Sequence, residues 1–118
     1  MLSGREIIWP QFKNFIRQHP VYGNHSKKLF VDYHEKKESA HAHNSYLETL
    51  ASHGILIFSI LILLIITNIN KENFIYILVI LIYSTTQYGI FWGISITDII
   101  LFTFFQPRSH YFPTKNTA

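Results

Sequence analysis

The sequence contains no cysteine, which excludes disulfide and thiolate chemistry and leaves the compartment unreadable from redox usage. It has no glycine-rich phosphate loop and no nucleophile elbow, the usual sequence signs of nucleotide binding and of serine-hydrolase chemistry. Charge is scarce where apolar residues are dense: between Gly54 and Phe105 the charged residues are Lys71, Glu72 and Asp98. No cleavable signal sequence follows Met1, because polar residues come at once. A polar first half without a means of export is expected to belong to a longer protein.

What is present divides into two halves. Residues 1–48 hold seven of the ten Lys and Arg, five of the seven acidic residues and five of the seven His, whereas 54–105 is built from runs of Ile, Leu and Phe. At 118 residues the chain is one domain at most. The expected fold class is all-α: integral membrane helices preceded by a polar, partly helical extracytoplasmic loop segment. The net charge of +3 is modest. The basic residues of the polar half read either as a solvated surface or as a patch attracted to anionic headgroups or a pyrophosphate.

Ser3-Gly4-Arg5-Glu6 has the spacing of a capping box, and Ile8, Phe12, Phe15 and Ile16 recur at helical spacing. These predict an amphipathic helix over 4–18, kinked at Pro10 or beginning there. Pro20 to Asn24 reads as a turn. Residues 25–42 lack periodicity and read as a charged loop. Asn44 or Ser45 is placed to cap a helix that runs on to about Thr67. About 22 residues give about 33 Å, enough to cross a bilayer core of about 30 Å. The expected division is therefore a loop segment at 1–46, membrane helices at 47–67 and 73–88, a short apolar helix at 95–106 capped by Ser95 or Thr97, and a polar tail at 107–118. Charge alone points the basic half toward the cytoplasm.

The stretch His41-Ala42-His43-Asn44-Ser45-Tyr46-Leu47-Glu48 sets polar chemistry against the mouth of a membrane helix. A His-x-His metal site there lacks Cys and lacks a carboxylate at a recognised ligand spacing, so no metal is expected. His43 stands at a helix start, where backbone donors bind anions and the local field favours a neutral imidazole. A neutral imidazole suits a general base. A capping or interfacial histidine is the alternative. Arg5 and Arg17 offer planar forks that match phosphate oxygens, against the default of solvated surface arginines. Asn44 and Glu48 read as a helix cap and as a residue that either orients a hydroxyl or faces water.

Three motifs in order, Gly4-Arg5-Glu6-Ile7-Ile8-Trp9, Pro20-Val21-Tyr22-Gly23 and His43-Asn44-Ser45-Tyr46-Leu47, resemble the O-antigen ligase and polymerase superfamily. Nine residues separate Asn44 from Gly54, as in the ligase pattern. Two positions depart from that pattern: His25 stands where a second glycine usually follows Gly23, and Ile57-Phe58 replace a Thr-Tyr pair. The resemblance covers about residues 3–66. It implies the C-terminal part of a multi-pass inner-membrane protein with the polar segment facing the periplasm. It also implies glycan transfer from undecaprenyl pyrophosphate to a hydroxyl of lipid A-core, with no cofactor and no nucleic-acid partner. In that scheme His43 is the base on the acceptor hydroxyl, Arg5 holds the pyrophosphate, Arg17 is a second candidate for that role, and Asn44 contributes to substrate binding. A polymerase, a protein-glycosylating relative and a non-catalytic membrane remnant remain alternatives.

Overall fold

The structure, a computed structural model, describes residues 4–33, 39–87, 89–91 and 94–105. It is mostly helical: α1 (Arg5–Gln18), α2 (Ser45–Asn68), α3 (Phe74–Tyr83) and α4 (Ile96–Phe104), with a two-stranded pair, β1 (Val31–Asp32) and β2 (Ser39–Ala40). Residues 34–38 of the expected charged loop and the polar tail at 107–118 lie outside the described residues.

Helix α1 buries Ile8 and Phe12 against Ala42 and Ala51, with Trp9, Phe15, Ile16 and Leu47 around them. The periodic apolar stripe read from the sequence is this buried face. Pro10 sits inside the helix without ending it. It is exposed, so only the bond to the Glu6 carbonyl is given up, on the wet side. The expected capping box does not form, because the N-cap is Gly4 and carries no side-chain bond. The charged loop is more ordered than expected: Val31 pairs with Ala40 and Asp32 with Ser39, antiparallel, and Gln11 Nε2 donates to the Asp32 carbonyl at 2.8 Å.

Helix α2 is, by length and composition, long and apolar enough to cross a membrane, but its axis is broken. Gly54 has φ 76° and ψ 180°, a region of backbone space open essentially to glycine alone. The break strands two carbonyls and an amide, and the Pro20–Ser26 turn takes all three. Asn24 N–H donates to Ala51 O at 2.8 Å, Ser26 N–H to Ser52 O at 2.9 Å, and Ile55 N–H to Pro20 O at 2.8 Å. The contact leaves no room for side chains. A Cβ on Gly54 would collide with the Val21 carbonyl, and one on Gly23 would collide with backbone at Ala51 and Gly54. Two glycines 31 positions apart thus serve one backbone crossing.

Beyond the break, α2 from Ile55 to Asn68 is about 21 Å long, with Leu56, Ile60, Leu63 and Ile66 exposed. An asparagine-built turn reverses the chain: Asn70 Oδ1 accepts from the Glu72 and Asn73 amides, and Asn73 Nδ2 donates to the Asn68 carbonyl at 2.8 Å. Helix α3 closes at Tyr83 rather than near Tyr88, so it is about 15 Å long. Helix α4 starts with the expected Ser95 cap, in a full capping box with Asp98. It returns so that Phe104 O accepts from Asn73 Nδ2 at 3.3 Å. Ile65, Ile77, Ile80, Ile90 and Leu101 form the buried centre of this apolar bundle.

The lengths decide the shape of α2. Helix α3 rises about 15 Å, yet the Ser84 carbonyl at its end receives the Ser45 amide at 2.9 Å. The Ser45–His53 segment therefore folds over the bundle instead of extending the axis beyond Gly54. Tyr46 lies against α3, its hydroxyl donating to Leu81 O at 2.7 Å and its ring 6.4 Å from that of Phe58, while Ala51 packs on α1.

Candidate functional site

The site sits where the folded-over start of α2 meets α1 and the 84–90 segment. Asn44 caps α2, its Oδ1 accepting from the Tyr46 and Leu47 amides, each at 3.0 Å. Its Nδ2 donates to Thr85 O at 2.9 Å. On the next carbonyl, Thr86 O, Arg5 Nη2 donates at 2.8 Å, with the guanidinium carbon 6.0 Å from the Trp9 ring centre. Ser45 completes the junction: its hydroxyl donates to Gln87 O at 3.1 Å and accepts from the Gly89 and Ile90 amides. The structure therefore brings Arg5 and Asn44, with His43 beside Asn44 in the chain, to one turn after α3.

Arg17 is not brought there. It lies exposed in the last turn of α1, about 18 Å along the helix from Arg5 at the usual rise. The anion site expected at the start of α2 is also closed. The Ser45, Tyr46, Leu47 and Glu48 amides are all bonded within the protein, to Ser84 O, Asn44 Oδ1 and Asn44 O. At this turn the described cation is Arg5, with Nη2 given to Thr86 O and Nε buried without a hydrogen-bond partner.

His43 is exposed between the buried Ala42 and Asn44 and has φ 49°, the left-handed region that costs a non-glycine residue about 1–2 kcal/mol. His41 is partly buried, with its ring 4.6 Å from that of Phe30 and 6.5 Å from that of His43. Burial pushes the His41 pKa below the usual imidazole value, helped by the nearby His43 and Lys28 charges. Among the described residues no group of three His, Cys, Asp or Glu side chains gathers in metal-binding geometry.

Two features escape a reading of the sequence. Ala42, between the two histidines, is fully buried; Trp9 Nε1 donates to its carbonyl at 2.8 Å, and its amide donates to Glu48 Oε1 at 2.6 Å. Glu48 does not face water: it is 2 % exposed, and its Oε2 is buried with no hydrogen-bond partner. It borders a cavity of about 110 Å³ shared with Ser26, Lys28, Ser52, His53 and Phe91. The available signal was the position of Glu48 one turn inside a capped helix, from which a carboxylate can reach back to the chain before the cap.

No family model, curated protein or solved structure matches this chain.

Proposed function

We propose that this chain is a segment of an O-antigen ligase-like glycosyltransferase of the bacterial inner membrane, with its polar half in the periplasm. It moves a glycan from undecaprenyl pyrophosphate onto a hydroxyl of lipid A-core. His43 removes the proton of the acceptor hydroxyl as the hydroxyl oxygen attacks the anomeric carbon. The bond to the pyrophosphate oxygen breaks, and Arg5 offsets the charge that develops on that leaving group. The observation that carries the reading is that the motifs, separate in sequence, pack as one unit. Trp9 of the first holds Ala42 beside His43 of the third, and Gly23 of the second rests on the backbone around Gly54.

The exposed apolar surfaces of α2, α3 and α4 suit lipid or neighbouring membrane helices. Helices α3 and α4, at about 15 Å or less, suit partial insertion beside such neighbours. Glycan transfer in a ligase-deficient Gram-negative cell that makes a compatible O-antigen donor tests the reading. Polymer attached to lipid A-core with the wild-type chain, and absent with His43→Ala at matched expression, is the expected result. Polymer attached equally by both removes His43 as the base.

A further inference from the structure

We propose that Glu48 is a positioning residue for His43, acting through the backbone of Ala42; the role rests on the reading of His43 as the base. Counting from the Asn44 cap, Glu48 is the fourth residue of α2 and Ala42 the second residue before the cap. In a capping box the third helical residue reaches back to the cap amide. Here the carboxylate comes from one position later and reaches two positions further back, to Ala42 N–H at 2.6 Å. Trp9 Nε1 meets the carbonyl of the same residue at 2.8 Å, and the Ala42 methyl lies in the core with Ile8, Phe12 and Ala51. Ala42 is thus fixed at its amide, its carbonyl and its side chain.

His43 follows immediately and has none of that burial. Its φ of 49° is an uphill conformation for a histidine. The chain is held on both sides of it: by the Ala42 clamp before, and by the Asn44 cap, bonded to Tyr46, Leu47 and Thr85, after. On the Ala42 side Trp9 holds the carbonyl that adjoins His43, and Glu48 holds the amide at the other end of the same residue. A carboxamide at position 48 keeps a carbonyl oxygen for the Ala42 amide, whereas a methyl group removes the acceptor and leaves a buried amide unpaired.

The test uses the full chain in detergent micelles as wild type, Glu48→Gln, Glu48→Ala and Trp9→Phe. The first readout is the Ala42 amide proton by NMR, a reporter of the clamp that needs no activity. Its signal is expected to stay downfield in the wild type and in Glu48→Gln, and to move upfield in Glu48→Ala. The second is transfer kinetics, in which Glu48→Ala is expected to lower kcat about 100-fold with KM unchanged, as a reacting group displaced by about 1 Å does. Glu48→Gln is expected to recover most of that loss. Trp9→Phe loosens the carbonyl side and is expected to lower kcat in the same sense. An Ala42 signal that does not move in Glu48→Ala overturns the clamp, and kcat and KM falling together in Glu48→Ala and Glu48→Gln overturn the positioning role. If the wild type transfers nothing, the enzyme reading and the role that rests on it fall together, while the Ala42 signal still decides whether the clamp exists.

Discussion

Gly54 and Glu48 are the residues on which most of the geometry turns. Gly54 combines a conformation reserved for glycine with direct backbone contact from Val21. Gly54→Ala is therefore expected to destabilise the fold by about 2–3 kcal/mol, measured by denaturant unfolding in micelles. Glu48→Ala removes the acceptor of the buried Ala42 amide and is expected to cost about 1–3 kcal/mol, read by the same unfolding measurement.

At the scale of elements, helix capping decides what the start of α2 is able to do. Asn44→Ala removes two bonds to helix amides and one to the Thr85 carbonyl. It is expected to cost about 1–2 kcal/mol, read as a lower unfolding midpoint, with the 84–87 turn still held by Ser45 and Arg5. Much at this scale was legible in the sequence. The stripe Ile8–Phe12–Phe15–Ile16 marked α1, Asn44 or Ser45 marked the start of α2, and Ser95 or Thr97 that of α4, because capping and periodicity are local chemistry. The break at Gly54 was not legible. A glycine inside an apolar run satisfies helix spacing, and only the Pro20–Ser26 turn, far away in the chain, makes the break affordable. The burial of Glu48 and the clamp on Ala42 were hidden for the same reason, since both depend on how α1 packs against α2. The β1–β2 pair is too short, at two residues each, to leave a pattern of alternation. The resemblance set Arg5 ahead of Arg17, and the structure separates them in space: Arg5 donates to Thr86 O, while Arg17 lies exposed in the last turn of α1.

Taken as a whole molecule, the chain is a polar head joined to an apolar bundle through a broken helix. The head depends on the Pro20–Ser26 turn lying against the break, which the absence of native cysteines makes simple to test. Ser26→Cys with Ser52→Cys replaces two serines whose backbones are joined by a 2.9 Å hydrogen bond, so the two thiols are neighbours only when the turn lies against the break. Rapid oxidation of the pair in the folded chain is expected, and slow oxidation would mean that head and helix are not packed together. The functional claim is tested most directly by transfer with purified components: chain, undecaprenyl-pyrophosphate-linked glycan and lipid A-core, followed by product mass. The account predicts product from the wild type and from Arg17→Ala, little from Arg5→Ala, and none from His43→Ala. Product from His43→Ala at the wild-type rate would contradict it.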